Sequence, residues 1–211
     1  MHFWPGSGVK PTAFYLAQRA AERAYRLHPV RRAKAAKGKH VARLLRALPP
    51  SKRHFAALYL LLFVSSSRFG DVKSEGAAAK DKKRAYLLDF PAAKVPTKKW
   101  VTKKPFESLA LDLPKLWEKI RGISYGQARS TLQRLNRSLS LHSFRRGSAT
   151  ALAQTKPLSQ VATLTGHKTQ RTRDEATVAQ YIAPTPFTHQ AREQQELSEI
   201  LWKKVKRHLP M

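Results

Sequence analysis

The sequence predicts a mainly α-helical domain with a small antiparallel β-sheet, which is an α+β fold class. Apolar residues recur at helical spacing on both sides of a central segment. That segment, residues 76–114, instead contains short runs of strand-forming residues separated by proline and lysine. A length of 211 residues and a hydrophobic content of 42% are sufficient for one compact domain with a buried core.

Proline and serine bound several of the predicted helices. The first helix ends before Pro29, because a residue that precedes proline disfavours the helical conformation. Ser51 is expected to cap a helix through the apolar run at 55–64, which is too short to span a bilayer and is typical of a buried core helix. Pro157 suits a first helical turn, where its missing N–H would be unpaired anyway. The predicted helices cover residues 12–27, 41–48, 51 towards 68, 116–121, 127–139, 143–154, 158–165, 175–182 and 188–208.

Two strands are predicted in the central segment, over residues 85–90 and 106–111. Both runs are short, apolar and bounded by proline or lysine. A hairpin or a three-stranded meander therefore fits this segment better than another helix.

The charge predicts a polyanionic partner. A formal net charge of +28 repels itself unless a polyanion neutralises it, which indicates DNA or RNA and binding that weakens steeply with salt. Residues 31–54 and 119–173 contain lysine and arginine but no aspartate or glutamate. A basic protein of the ribosomal type would have the same balance, and such runs also form solvated faces, so charge alone indicates no activity.

The absence of cysteine excludes disulfides, iron–sulfur clusters and thiolate zinc sites, and it fits a reducing intracellular compartment. The first ten residues, MHFWPGSGVK, lack the basic-then-apolar layout of a secretory signal. Basic clusters such as KDKKR favour the nucleus, with the bacterial nucleoid or cytoplasm as the alternative.

Four short motifs follow one another along the chain. They are Arg68 in SSSRFGDV, His142 and Arg145 in LHSFRRGSAT, Gly166-His167 in TLTGHKT, and Tyr181 in VAQYIAP. His142 and Arg145 lie three positions apart, so they share one helix face and can contact one phosphate. Arginine stays charged and matches two phosphate oxygens at once. Together the motifs supply cations that neutralise a phosphate and a tyrosine that attacks it, without a metal.

Each motif alone has a simpler explanation. The spacing of His142 and Arg145 is common on ordinary helix surfaces. Arg68 suits the end of a helix, and Gly166 suits the end of the apolar helix that precedes it. Tyr181 fits a core aromatic with a satisfied hydroxyl. Asp71, three residues after Arg68, is expected to pair with its guanidinium and to hold it in one direction.

The order of these motifs resembles the catalytic domain of the tyrosine recombinases, the phage-integrase family of DNA breaking and rejoining enzymes. The resemblance covers residues 38–185 and is strongest over 142–182. The RRGSAT sequence and its context rich in lysine and alanine look more like recombinases of eukaryotic mobile elements than bacterial ones. It implies an integrase-type catalytic fold and DNA recombination or integration through a 3′-phosphotyrosyl intermediate. The resemblance implies no cofactor, neither ATP nor a metal.

The resemblance also implies a role for each motif residue. Arg68 and Arg145 would clamp the non-bridging oxygens of the scissile phosphate and stabilise charge in the transition state. His142 would help to move the proton from the nucleophile, and His167 would donate a hydrogen bond to the phosphate. Tyr181 would attack and leave a free 5′-hydroxyl.

Members of this family use a lysine on the β-hairpin to protonate the leaving oxygen. Lys94 is the best match in this sequence, and Lys98 and Lys99 are close alternatives. Asp71 and Gly166 are expected to support the site.

The resemblance divides the chain into three parts. Residues 1–37 would be an N-terminal helix and basic linker, the remnant of a core-binding domain; residues 38–185 would be the catalytic domain, and residues 186–211 a C-terminal helix that packs between subunits. Because the family carries an N-terminal helical domain that closes around the duplex, the chain is expected to be a fragment, a truncated copy or a domain that needs a partner. The interval from His167 to Tyr181 is also longer than is usual in the family, and the interval from Lys94 to His142 is shorter.

The expected partners are double-stranded DNA and further copies of the chain, as a homotetramer on DNA and a monomer or dimer free of it, with no membrane. An apolar stripe on the final helix suits either a neighbouring subunit or the helix's own domain, and it consists of Leu197, Ile200, Leu201 and Val205.

Two other classes of function compete with this interpretation. In a non-catalytic or degenerate DNA-binding protein, residues 143–154 and 158–165 would form a helix-turn-helix around Lys156-Pro157. That alternative gives no reason for Arg68 or for a tyrosine after the Gly-His pair. An RNA-associated structural protein is favoured only by charge.

Overall fold

A computed structural model describes residues 34–93, 97–165 and 187–210 of the chain. These residues belong to one compact unit. Numbered within the described residues, the helices are α1 Gly38–Ala47, α2 Arg53–Val64, α3 Phe69–Val72, α4 Lys104–Glu107, α5 Leu113–Gly122, α6 Tyr125–Leu135, α7 Leu141–Ala153, α8 Leu158–Thr165 and α9 Phe187–Lys206. The strands are β1 Ala78–Asp81, β2 Ala85–Phe90 and β3 Thr97–Thr102.

The predicted fold class is confirmed, because the described chain is mostly helical with one three-stranded antiparallel sheet in the order β1-β2-β3. The predicted meander is present, and β2 has the predicted bounds. The predicted strand over 106–111 is wrong, because Pro105 lies in the first turn of α4 and Phe106 is buried against Tyr86. The third strand is instead the lysine-containing β3, which pairs with β2 along its whole length.

The predicted core helix is confirmed as α2, in which every residue from Phe55 to Val64 is buried. The predicted cap is wrong: Ser51 lies inside a short 3-10 turn, and Lys52 precedes α2 without a side-chain cap. The helix also stops at Val64, short of Arg68. Two residues later, Ser66 has a φ of 51°, a left-handed conformation that cannot continue a right-handed helix.

Polar caps place the starts of α5, α6 and α7 earlier than predicted. Asp112 accepts a hydrogen bond from the backbone N–H of Lys115 at 3.2 Å, and Ser124 and Gln127 form a reciprocal capping box. Ser140 and Ser143 do the same for α7. The last of these caps places the His142 motif in the first turn of its helix.

Helix α2 lies at the centre of the core and is packed by α1, α5, α7 and α9. Tyr59 stacks on Phe144 of α7 with 5.4 Å between ring centroids, and its hydroxyl donates to the carbonyl of Ala128 at 2.8 Å. Burial raises the pKa of Tyr59 well above its ordinary value. Trp117 donates its indole N–H to the carbonyl of Ala77 at 2.9 Å and so ties α5 to the start of the sheet. The core therefore fixes α7 against α2, which is the contact that builds the site below.

Helix α9 packs on its own domain. Leu197, Leu201 and Val205 are buried, and Ile200 is partly buried against the same core. Of the two expected contacts for this apolar stripe, a neighbouring subunit or its own domain, the structure therefore shows packing against its own domain. The helices predicted over 12–27 and 175–182 lie outside the described residues. Among the helices that the structure describes, none combines the length and the apolar character needed to cross a bilayer.

Candidate functional site

The predicted site residues divide into two groups. Arg68, Asp71, His142 and Arg145 are described, and the structure brings them to one place, between the end of α2 and the start of α7. The other predicted residues, which are Lys94, Gly166, His167 and Tyr181, lie outside the described residues.

A buried serine turn, residues 65–67, forms the floor of the site. The Ser65 hydroxyl donates to the carbonyl of Leu61 at 2.6 Å, and the Ser65 and Ser67 hydroxyls are 2.8 Å apart. Ser66 holds the left-handed conformation that reverses the chain. The turn therefore ends α2 and directs the Ser66 carbonyl towards α7, while the next residue, Arg68, is the N-cap of α3.

Arg145 reaches this turn from α7. Its side chain is only 3% exposed, and its Nη1 donates to the Ser66 carbonyl at 2.9 Å. Burial and the nearby charge of Arg68 lower the pKa of Arg145 to about 10, against the opposing effect of Asp71. The guanidinium is thus cationic at neutral pH and is anchored directly beneath the backbone that carries Arg68.

Lys99 also belongs to this site, although the sequence favoured Lys94 and kept Lys99 only as an alternative to it. It lies on β3, is 1% exposed, and donates from Nζ to the carbonyls of Ser65 at 3.1 Å and Ser66 at 3.4 Å. The Ser66 carbonyl therefore accepts from two basic side chains, those of Arg145 and Lys99. Burial is the main cause that lowers the pKa of Lys99 to about 7, with repulsion from Arg145 next.

Asp71 holds the backbone at Arg68 rather than the guanidinium, which corrects the expected pairing. Its Oδ2 accepts from the backbone N–H of Arg68 at 2.8 Å, as in a helix capping box. The Arg68 side chain is exposed and lines a cavity of about 460 Å³. The same cavity is lined by Ala93, the last described residue before Lys94. Asp71 therefore fixes the backbone position from which the Arg68 side chain extends. The side chain itself remains accessible to a ligand.

His142 lies on the exposed side of the same helix as Arg145. Partial desolvation lowers its pKa below the ordinary value of 6.5, and the charges of Arg145, Arg68 and Arg146 lower it further. The imidazole is therefore mostly neutral at pH 7, and a neutral imidazole can accept a proton.

Arg68, Lys99, His142 and Arg145 are called the cationic cluster below. Two members act on the other two: Arg68 and Arg145 lower the pKa of both Lys99 and His142. Asp71 is the acidic group that acts on Lys99 and Arg145 in the opposite sense. Since the site holds two guanidinium groups and only one carboxylate, its described part favours an anion such as a phosphodiester.

The burial of Lys99 could have been predicted from the sequence if residues 97–102 had been assigned as the third strand. In a strand, neighbouring residues point to opposite faces. Once TKKWVT is a strand, Lys98 and Trp100 share one face, and Lys99 shares the other with the buried Val101. A lysine on the buried face of a strand requires polar partners, and the serine turn supplies them.

Comparisons of this chain with protein-family models, with curated proteins and with solved structures found no match.

Proposed function

We propose that this chain breaks and rejoins DNA as a tyrosine recombinase does, through a covalent 3′-phosphotyrosyl intermediate and without a metal. The observation that carries this proposal is the hydrogen bond from Arg145 to Ser66, which are 79 residues apart in sequence. This contact unites two of the motifs, because it seats the His142 and Arg145 helix under the turn that presents Arg68. The resemblance noted in the sequence required these motifs to share one site.

The two arginines have different roles in this proposal. Arg68 is exposed and contacts the non-bridging oxygens of the phosphate directly. Arg145 is buried against Ser66, so it contributes mainly a fixed positive charge beneath the phosphate. Such a preorganised charge stabilises the pentacoordinate transition state without rearranging during the reaction.

His142 and Tyr181 carry the nucleophilic step. The neutral imidazole of His142 accepts the phenolic proton, and the oxygen of Tyr181 forms a bond to phosphorus while the bond from phosphorus to the 5′-oxygen breaks. The ordinary pKa of tyrosine is near 10, so the positive potential of the cationic cluster favours ionisation of the attacking phenol. His167 donates a hydrogen bond to the same phosphate.

The leaving 5′-oxygen takes a proton from a lysine, and Lys94 remains our proposed donor. Lys99 is a positioning residue in this account, because both of its described hydrogen bonds go to the serine turn and its side chain is almost fully covered. Lys99 and Arg145 both donate to the Ser66 carbonyl, and together they fix the backbone that leads into Arg68.

The biological context is part of the same proposal. The substrate is double-stranded DNA, the active assembly is a tetramer on that DNA, and the reaction serves integration or transposition of a mobile element in a nucleus. Because the stripe on α9 is buried in its own domain, subunit contacts in this tetramer use other residues.

The test is capture of a covalent protein–DNA adduct. Duplexes with a randomised central sequence and a nick are incubated with the full chain, so that the short 5′-hydroxyl fragment diffuses away after cleavage. Adducts that survive SDS are isolated and the DNA is sequenced. We expect the wild-type chain to form adducts without added metal and Tyr181→Phe to form none while it still binds the duplexes.

The matched control is Tyr125→Phe. Tyr125 is 55% exposed and contacts Phe69 beside Arg68, so it tests whether any accessible tyrosine near the site suffices. We expect this variant to form adducts at the wild-type level. Binding without any adduct from the wild-type chain would favour the non-catalytic DNA-binding alternative and overturn the proposal.

A further inference from the structure

A second concave surface lies away from the cationic cluster, where the β1–β2 turn meets α9. It is a cavity of about 720 Å³. Its described lining, called the turn cavity below, consists of Lys82, Lys83, Arg84, Ala85, Trp100, Ala191, Arg192 and Gln195. Four of these residues are cationic, and no acidic residue is among them.

The turn cavity lies on the far side of the sheet from the site described above. Trp100 follows Lys99 on β3, and neighbouring residues of a strand point to opposite faces. Strand β2 also separates the two places along its length, since Ala85 at its start lines the turn cavity and Ala93 after its end lines the cavity at Arg68. A ligand in the turn cavity is therefore distinct from a phosphate at Arg68.

The walls of the turn cavity are fixed by two glutamine side chains of α9. Gln194 accepts from the backbone N–H of Trp100 at 2.8 Å, and Gln195 donates to the carbonyl of Arg84 at 2.9 Å. Because one bond reaches the backbone of β3 and the other the backbone of the β1–β2 turn, the two elements that carry these cations are held next to each other. The four cationic side chains form no ion pair with any other described residue.

Trp100 gives the turn cavity an apolar surface. The indole Nε1 is buried, so the part of the ring that lines the cavity is its carbon surface. Ala85 and Ala191 add apolar atoms beside it. The turn cavity therefore suits a ligand that combines negative charge with a flat apolar face.

From these observations we propose that the turn cavity binds a single-stranded nucleic-acid segment, with its phosphates on Lys82, Lys83, Arg84 and Arg192 and one base against Trp100. Cations that follow the backbone and an aromatic ring that stacks a base are the two requirements for binding single strands. A base paired within a duplex cannot reach an indole inside a concave surface. An acidic peptide satisfies the charge but lacks the flat base that Trp100 would contact.

The test measures binding of a short fluorescein-labelled oligothymidine to the full chain by anisotropy. We expect the triple variant Lys82→Gln, Lys83→Gln, Arg84→Gln to bind about ten-fold more weakly. We also expect its dependence on salt to be shallower by about 2 in the slope of log K against log salt, since each phosphate contact on a single strand contributes about 0.7. The matched control, Lys203→Gln, Lys206→Gln, Arg207→Gln, removes equal charge from another cavity and is expected to change binding less than about three-fold. Equal losses from both variants would overturn the proposal.

Stacking is tested separately. Oligothymidine with one bromouracil is cross-linked by light, and we expect the adduct on the peptide that contains Trp100. Trp100→Phe keeps a flat ring and is expected to retain binding, whereas Trp100→Leu is expected to lose about ten-fold. A cross-link confined to other peptides would contradict the proposal, as would stronger competition by polyglutamate than by unlabelled oligothymidine. Tyr181→Phe, expected to abolish the covalent adduct, should leave this binding unchanged, so the two proposals fail independently.

Discussion

Replacing Lys99 by methionine removes a buried charge while it keeps the length and volume of the side chain. Lowering the pKa of Lys99 from 10.5 to about 7 costs the protonated folded form about 5 kcal/mol as an upper limit, because a tenfold change in proton affinity corresponds to about 1.4 kcal/mol. Methionine avoids that cost but leaves the Ser65 carbonyl without its ammonium donor, which costs about 1–3 kcal/mol. Below pH 7 we therefore expect Lys99→Met to be more stable than the wild type by up to about 4 kcal/mol.

The sign of the pH dependence follows from proton binding. Between pH 7 and 10.5 the unfolded wild-type chain binds more protons at Lys99 than the folded chain does, so the stability of the wild type rises with pH through this window. The penalty is complete below pH 7 and absent above 10.5. The free energy of unfolding of the wild type minus that of Lys99→Met should therefore rise by up to about 5 kcal/mol across the window and change sign.

Urea unfolding of both proteins at a series of pH values measures this difference, and the other titrating groups cancel between them. A difference that stays constant from pH 7 to 10.5 would refute the reasoning, because Lys99 would then have an ordinary pKa in the folded chain.

Three further predictions test other parts of the structure. Gly147→Ala should destabilise the fold by about 1–3 kcal/mol in urea unfolding, because a Cβ there would collide with the Ala36 backbone, whereas Gly122→Ala, with open space around it, should be neutral or slightly stabilising; equal effects would contradict the packing. The His142 imidazole should titrate by NMR with a midpoint below 6.5, and Arg68→Gln should move that midpoint upward; a wild-type midpoint above 6.5 would mean that the two guanidinium groups do not act on it. Asp71→Ala should cost about 1 kcal/mol of stability through loss of the cap on Arg68, and Asp71→Asn should cost less because it keeps an acceptor; the reverse order would show that charge rather than the hydrogen bond matters.

Much of the fold followed from local rules. The helical periodicity, the apolar run of α2 and the short apolar run of β2 were sufficient to predict an α+β domain. The strand β3 was missed because its two lysines lower the apparent strand propensity, and only the tertiary contact of Lys99 with the serine turn explains why one of them is buried. Propensity describes a residue in isolation, whereas burial of Lys99 depends on carbonyls more than thirty residues earlier in the chain.

The site was predictable to a similar degree. Spacing placed His142 and Arg145 on one helix, and the structure places that helix beside Arg68. The contact of Asp71 with a backbone N–H instead of a guanidinium was not predictable, because it depends on where α2 ends. The helix ends there because Ser66 adopts a left-handed conformation, which the sequence SSSR does not predict.

The central claim is that the cationic cluster activates Tyr181 towards a DNA phosphate. The most direct measurement is mass spectrometry of peptides from SDS-resistant adducts, which identifies the residue that carries the nucleotide. We predict a nucleotide bonded to the Tyr181 oxygen in the wild-type chain and a strong loss of that peptide in Arg68→Gln. A nucleotide on Tyr125 or on a hydroxyl of the serine turn, or a Tyr181 adduct that Arg68→Gln leaves undiminished, would contradict the account.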